Sequence, residues 1–169
     1  MKNQYYIKAT VVAVLLSACS QDRSLPDHKG QFLGELEPIK AKVGFGDFAP
    51  NYYPNEDNAP VLVDGKKCNY YIFAHADSDL VYNLPKGVKR FSAVGIKPSK
   101  DKGIAGTFAF EVLLDGKSVY KSKALRLYPN YQVPISVDIP PETQTLELKV
   151  DSLGNNFADH SIWAFPFME

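Results

Sequence analysis

A strict alternation of bulky apolar residues with other residues constrains the fold of this chain more than any other feature. Phe108, Phe110, Val112 and Leu114 share one face of the segment Thr107–Leu114. The segments Val133–Ile139 and Leu146–Val150 repeat the pattern. Successive side chains of a β-strand point to opposite faces, so each segment predicts a strand with one buried face.

Turn signals separate these segments and indicate how they connect. Asp64-Gly65 and Asp115-Gly116 each lie between strand-like runs and predict tight hairpins. Pro134 lies inside a strand pattern, which indicates an edge strand or a bulge because proline donates no backbone hydrogen bond. Further strands are predicted at Asn69–Ala74, Leu80–Leu84, Phe91–Ile96 and Ile162–Phe167. Seven or eight short strands without a convincing helical pattern predict an all-β fold, an antiparallel β-sandwich of jelly-roll type, with a closed barrel as the alternative.

The composition agrees with this fold class and narrows the choice of partners. Ten Tyr, ten Phe and one Trp among 12 Pro and 11 Gly favour an aromatic-rich β domain with many turns. The 19 basic and 19 acidic side chains balance. This balance removes the electrostatic reason to expect nucleic acid as a partner.

The first residues have the pattern of an export signal. Lys2 and Lys8 precede the apolar run Ala9–Leu16, which is too short to span a bilayer as a stable anchor. Leu16-Ser17-Ala18-Cys19 resembles the bacterial lipobox, so Cys19 is the expected lipidation site and the mature N-terminus. The chain would then comprise a signal peptide (1–18), the lipidated cysteine with a flexible tether (19–30) and one domain (31–169). An ordinary cleaved signal with a chance cysteine is the alternative.

Lipidation would fix the location of the domain. Several acyl chains on one cysteine, palmitate among them, bury enough methylenes for stable membrane anchoring. Ser20 follows Cys19, and a residue other than Asp at that place is typical of transfer to the outer membrane. The expected location is therefore the bacterial cell envelope. Cys68 has no second thiol to pair with after export, so we expect it to be buried and inert.

Six groups of short motifs follow one another through Phe32–Phe167 in a distinctive order and spacing. They are Phe32-Leu33-Gly34-Glu35-Leu36 with Gly44-Phe45-Gly46; Asp64-Gly65-Lys66-Lys67; His75-Ala76-x-Ser78 with Val81-Tyr82-x-Leu84; Phe91-Ser92-Ala93 with Gly95-Ile96; Phe110-Glu111-Val112 with Asp115-Gly116-Lys117; and Asp159-His160-x-x-Trp163-Ala164. In these motifs the chain resembles the NPCBM family of carbohydrate-binding modules, which is related to carbohydrate-binding module family fifty-one.

The resemblance implies a galactose-binding-domain-like β-sandwich. Such domains are often appended to glycoside hydrolases and bind sugars such as terminal galactose, sometimes with a calcium ion. The sequence departs from the family pattern at three places. Tyr71–Ala74 replaces glycines before the histidine, Phe45 stands where tryptophan is usual, and Phe165 replaces an acidic residue after Trp163-Ala164.

The histidine motif and the segment Asp159–Trp163 are expected to meet at one end of the sandwich. A sugar site needs an aromatic plane for the C–H face of the ring and fixed polar groups for the hydroxyls. His75, Asp159, His160 and Trp163 could supply such a set. The alternative is a structural network in which Asp159 orients an imidazole, the histidines bond buried backbone groups and Trp163 packs in the core.

Other candidate ligands lie in loops. Tyr52 and Tyr53, in the loop Asn51–Pro60, are further possible sugar platforms. Calcium prefers several oxygen ligands from irregular loops, and zinc accepts imidazoles with a carboxylate, although no ligand spacing in this sequence supports either metal. The candidate metal ligands are Asp77 and Asp79 with Asp159, or Asp47, Glu56 and Asp57, for calcium, and His75 and His160 with a carboxylate for zinc.

Catalysis is not expected. A glycosidase needs two carboxylates across a cleft, and the acidic residues here fall mostly in predicted turns. The first hypothesis is therefore a lipid-anchored, non-catalytic module that binds glycans, galactose-type glycans above all. The second is a structural or interaction lipoprotein whose sandwich binds an envelope or secreted protein, and the third is a small metal-dependent hydrolase.

Overall fold

The computed structural model describes residues 30–54, 60–98, 106–125 and 132–169. These ranges contain twelve β-strands and one short 3-10 turn, and none of their residues is α-helical. No helix in them is long and apolar enough to cross a bilayer. The elements are β1 (Gln31–Phe32), the 3-10 turn Leu33–Glu35, β2 (Lys40–Lys42), β3 (Leu62–Val63), β4 (Lys66–Lys67), β5 (Tyr71–Phe73), β6 (Ser78–Asn83), β7 (Arg90–Ile96), β8 (Ala109–Leu114), β9 (Lys117–Lys121), β10 (Gln132–Asp138), β11 (Thr145–Asp151) and β12 (Ile162–Met168).

Two five-stranded sheets form a sandwich. In the first sheet β12 lies between β7 and two short strands, because β5 pairs with its first residues and β1 with its last two. β10 is the far edge of this sheet, beyond β7. The second sheet has the order β2-β6-β11-β8-β9, and β3 and β4 form a separate hairpin. All these pairs are antiparallel, which confirms the predicted sandwich.

The core lies between the sheets and is built from the predicted alternation. In β11 the residues Leu146, Leu148 and Val150 are buried, whereas the residues between them are partly exposed. Trp163 of β12 faces Phe110 across the core, with ring centroids 4.7 Å apart. Gly95 makes room for this contact, because a Cβ atom there would lie 2.6 Å from the Phe110 ring.

The predicted turns and edge are also confirmed. Asp64 and Gly65 have φ angles of 48° and 77°, and Asp115 and Gly116 have 48° and 74°. Two consecutive positive φ values are typical of the type I′ turn that closes a two-residue hairpin. Pro134 lies in β10, whose outer side is the edge of the first sheet, so its missing N–H costs no ladder hydrogen bond.

Cys68 is buried, as expected. Its thiol donates a hydrogen bond to the Tyr70 carbonyl at 3.1 Å. Burial raises the pKa of the Cys68 thiol, so less of the reactive thiolate is present at neutral pH. Cys19 and the signal segment lie outside the described residues.

Candidate functional site

The turn Ala74–Asp77 carries the chain from the first sheet to the second at one end of the sandwich. Before the turn, β5 pairs with β12, and Phe73 lies opposite Ile162. Backbone hydrogen bonds continue this ladder beyond the strands: Ala74 N donates to Ser161 O at 2.9 Å, and Ala76 N donates to Asp159 O at 3.2 Å. The two segments that the sequence predicted to meet are therefore adjacent.

A third segment, Gly44 with Phe45, docks against this turn. Gly44 N donates to His75 O at 2.9 Å. A Cβ atom on Gly44 would lie 2.0 Å from the Ala76 carbonyl oxygen, so only glycine allows this approach. The docking brings the Phe45 ring to 5.8 Å from the His75 ring.

Five rings from these segments form a ring cluster, comprising Phe45, Tyr53, Phe73, His75 and His160. The two imidazoles are its centre, with centroids 5.1 Å apart. Phe73 lies beneath them, 6.5 Å from His75 and 5.9 Å from His160, and is only 1% exposed. Phe45 at the rim is 60% exposed. The cluster thus has a buried apolar floor, a polar middle and an aromatic edge in water.

Hydrogen bonds orient both imidazoles. His75 Nδ1 lies 2.6 Å from the Ala76 carbonyl oxygen, which can only accept, so Nδ1 carries a proton and donates this hydrogen bond. His160 Nδ1 lies 3.2 Å from the Tyr53 hydroxyl. Fixed donors and acceptors beside aromatic faces are the groups that a sugar site requires.

Asp159 and Trp163 do not belong to this cluster, and their assignment as sugar contacts is not supported by their positions. Trp163 is fully buried between Phe110 and Phe91, so its plane faces the core. Asp159 is also fully buried and its carboxylate lies against Gly106, whereas the His160 ring contacts the rings of the cluster.

The environment of Asp159 is unusual for a carboxylate. Among the described residues neither of its oxygens has a hydrogen-bond partner of good geometry. Burial raises the pKa of Asp159 to about 6, with a smaller contribution from Asp77 in the same direction. Lys97, itself buried, partly offsets the shift, as does the backbone N–H of Thr107.

A model of the NPCBM/NEW2 domain family matches residues 29–168. The chain belongs to this family. The NPCBM domain is a non-catalytic carbohydrate-binding module, so the expectation that this domain is not an enzyme is confirmed by its family. No curated protein matches the chain.

Solved structures share the fold of this NPCBM domain. A CBM51 module of a Clostridium perfringens GH95 protein, in complex with methyl-galactose, is 23% identical with a TM-score of 0.73, over 83% of this chain and 100% of that one. CBM51-2 with INT domains of Clostridium perfringens ZmpB, in complex with GlcNAc, is 24% identical with a TM-score of 0.69, over 83% and 31%. Tandem CBM51 modules of a Streptococcus pneumoniae family 98 glycoside hydrolase are 26% identical with a TM-score of 0.69, over 82% and 46%.

Of the two tyrosines predicted as sugar contacts in this NPCBM domain, one belongs to the ring cluster and the other does not. Tyr53 joins the ring cluster through Phe73, at 5.3 Å, and through His160. Tyr52 is 58% exposed, and no ring contact or hydrogen bond within the described ranges joins it to the cluster. Phe45 was not a candidate from the sequence, although an aromatic residue between two glycines in a loop is a signal that could have found it.

The expected metal ligands have other partners in the NPCBM domain. Asp79 pairs with Lys40, and Asp77 Oδ1 accepts a hydrogen bond from Ser152 N at 2.7 Å. No group of three or more His, Cys, Asp or Glu side chains in the described parts of the chain could hold a metal ion. The calcium set at Asp77 and Asp79 and the zinc set at the histidines therefore find no support. Glu56 and Asp57, which completed another calcium set, lie outside those parts.

Proposed function

We propose that this domain binds glycans through the ring cluster and that galactose-type sugars are its preferred ligands. The observation that carries the proposal is the pair of oriented imidazoles, His75 and His160, between a buried aromatic floor and the exposed ring of Phe45. Phe45 offers an apolar face to the C–H side of a sugar, and the imidazole nitrogens with the Tyr53 hydroxyl offer partners to its hydroxyls.

The solved relatives support the class of ligand. One CBM51 module of similar fold was solved with methyl-galactose and another with GlcNAc. Both ligands are single sugars small enough for an open site of a few rings. Membership in the NPCBM family makes such a ligand the first choice for this chain.

We further propose that the domain is a lipoprotein, anchored through Cys19 in the bacterial outer membrane. The fold suits this arrangement, because Gly30 enters beside Met168, at the end of β12, while the ring cluster lies beyond Ile162 at its beginning. A strand of this length spans about 20 Å. The tether and the proposed site would therefore lie at opposite ends, with the site directed away from the membrane.

A glycan screen of the unlipidated protein, starting at Gln21, tests the binding proposal. We expect binding to galactose-terminated glycans, with or without added calcium. His160→Ala removes a cluster imidazole and Tyr53→Phe removes only a hydroxyl, so the first should reduce affinity by about tenfold or more and the second should reduce it less. Tyr120→Phe is the matched control, since Tyr120 lies on β9. A folded protein that binds no glycan would refute the proposal.

Labelling with a palmitate analogue tests the anchor. The full chain expressed in a Gram-negative host should incorporate the label and sediment with outer membranes, whereas Cys19→Ala should do neither. Equal labelling of both forms, or of neither, would contradict lipidation at Cys19.

Binding of an envelope or secreted protein is the second candidate. It is favoured by the burial of Trp163, which removes the largest aromatic plane expected for sugar binding. The exposed side chains of Phe45, Leu153 and Phe157 would then contact a protein. Pull-down of one defined envelope protein by the glycan-negative domain, lost in Phe45→Ala, would support this candidate.

A further inference from the structure

The two most exposed large apolar side chains of the described residues belong to loops at the end that holds the ring cluster. Phe157 is 68% exposed and Phe45 is 60% exposed. Phe45 is a member of the cluster. Phe157 precedes His160 by three residues, so their Cα atoms lie within about 11 Å, the span of three fully extended residues.

Phe157 lies at the tip of a tight turn. Asp159 N donates to Asn156 O at 3.4 Å and closes a four-residue turn in which Phe157 is the second residue. Ala158, the third residue, has a φ of 61°, in the left-handed region that favours glycine. The turn thus holds an exposed phenylalanine on a backbone conformation that alanine rarely adopts.

Side-chain caps fix the loop that carries this turn. Asn155 Oδ1 accepts a hydrogen bond from Phe157 N at 2.8 Å, and Asp151 Oδ1 accepts one from Leu153 N at 2.9 Å. The beginning of the loop is held by Asp77, which follows His75 and Ala76 in the turn of the site. The position of Phe157 is therefore set relative to the histidines by hydrogen bonds at both ends of the loop.

We propose that Phe157 forms a second sugar subsite, so that the domain recognises an oligosaccharide rather than a single terminal sugar. This inference rests on the proposed glycan binding at the ring cluster. The first sugar contacts Phe45 and the histidines, and the next sugar of the chain lies against the Phe157 ring. Two exposed aromatic rings in loops at the end that holds the histidines fit a glycan of at least two residues.

Calorimetric titration with methyl-galactose and with a galactose-terminated trisaccharide tests the subsite. The wild type should bind the trisaccharide more tightly. Phe157→Ala should lose about tenfold in affinity for the trisaccharide and stay within about twofold for methyl-galactose, where tenfold corresponds to about 1.4 kcal/mol. Phe45→Ala should lower both affinities, because it contacts the first sugar. Leu62→Ala, an exposed apolar position in the separate β3–β4 hairpin, is the control and should change neither.

The outcomes separate this inference from the glycan-binding proposal. Loss of both affinities in folded Phe157→Ala would place Phe157 in the first subsite and overturn the inference. Unchanged affinity for both ligands would also overturn it, and glycan binding at the ring cluster would stand. Phe157→Tyr retains an aromatic face, so it should restore the preference for the trisaccharide. No binding of either ligand by the wild type would reject both proposals.

Discussion

The imidazole rings of His75 and His160 lie 5.1 Å apart with their planes at 63°. They differ in burial, since His75 is 6% exposed and bonds the Ala76 carbonyl, whereas His160 is half-buried. We expect His160→Ala to reduce glycan affinity by about tenfold or more and to lower the free energy of unfolding by less than about 1 kcal/mol. His75→Ala should reduce affinity too, but lower the free energy of unfolding by about 1–3 kcal/mol because it removes a buried hydrogen bond.

Urea unfolding and calorimetric titration of the same preparations measure both quantities. Val119→Ala, at an exposed position on β9, serves as control and should change neither. If folded His160→Ala bound glycan with wild-type affinity, His160 would not be part of the binding site.

Trp163 is predicted to act on stability alone. Its ring is fully buried, 4.7 Å from Phe110 and 6.4 Å from Phe91. Trp163→Ala should lower the free energy of unfolding by about 3–5 kcal/mol, the usual effect of truncating a large buried aromatic residue. Trp163→Phe should keep the fold at reduced stability and bind glycan within about twofold of wild type, a difference of about 0.4 kcal/mol.

Thermal unfolding and glycan titration of Trp163→Phe decide the point. A variant that remains folded and loses binding would mean that Trp163 contacts the ligand, contrary to its place in the core. The indole Nε1 has no hydrogen-bond partner in the described structure. Trp163→Phe therefore removes no hydrogen bond from a neighbouring group.

The sequence predicted the sheets better than the site, for a physical reason. A strand with one buried face has apolar residues at alternate positions. The buried faces of β8, β10 and β11, which include Phe110, Ile135 and Leu148, could therefore be recognised from the sequence. The meeting of His75 with Asp159–Trp163 was also predicted. The sequence did not predict that His160 would join the ring cluster while Asp159 and Trp163 would be buried outside it, because the direction of each side chain depends on the local backbone conformation. Phe45 and Phe157 lie in loops, where no periodicity marks a functional residue.

Five charged residues alternate in sign across the outer face of the second sheet. Strand register places Lys42 opposite Asp79, Asp79 opposite Lys149, Lys149 opposite Glu111, and Glu111 opposite Lys121. Opposite charges on neighbouring strands favour one register, although each exposed pair contributes little alone. Lys149→Glu reverses the central charge and should lower the free energy of unfolding by about 1–2 kcal/mol, because like charges then face each other on both sides.

Urea unfolding at low and high NaCl concentration checks this expectation. The loss should shrink in high salt, since screening weakens the repulsion. Exchange of the charges in Lys149→Glu with Glu111→Lys should recover part of the loss. Lys117→Glu changes the net charge equally outside the row, and an equal effect of this control would show that register plays no part.

We expect Gly44 to be required at the site because there is no room for a side chain, and not because its backbone must be flexible. A Cβ atom there would lie 2.0 Å from the Ala76 carbonyl oxygen, a backbone atom that can move only with the turn. Gly44→Ala should therefore displace the turn, lower the free energy of unfolding by about 2 kcal/mol or more and abolish glycan binding. Gly46→Ala is the matched control. It has a φ of 73° and no atom near its Cβ, so it should cost about 1 kcal/mol and preserve binding.

Circular dichroism melts and glycan titration distinguish these two effects. If Gly44→Ala kept wild-type affinity, the Gly44–Phe45 segment would not be part of the site. Loss of binding in both alanine variants would instead indicate that the whole loop must keep its backbone conformation.

Asp159 should make the stability of the domain depend on pH. Burial raises its pKa from the ordinary value of 3.8 to about 6 in the folded state, while the charge of Lys97 lowers this pKa and that of Asp77 raises it. A carboxyl with a raised folded pKa stabilises the fold fully below its unfolded pKa, and this stability is lost as pH rises through the folded pKa. The contribution should therefore fall by about 2 kcal/mol between pH 4 and pH 7.

Asp159→Asn removes this titration without a large change of shape. The free energy of unfolding of the wild type minus that of Asp159→Asn should begin to rise as pH falls through the folded pKa of about 6, and should level off only below the unfolded value of 3.8. Asp138→Asn, whose side chain is 83% exposed, is the control and should show no such trend. Because the Asp159 carbonyl accepts the hydrogen bond from Ala76 N in the turn of the site, glycan affinity should change around pH 6, the folded pKa of Asp159. A flat difference across the pH range would show that Asp159 is not titrating in the folded domain.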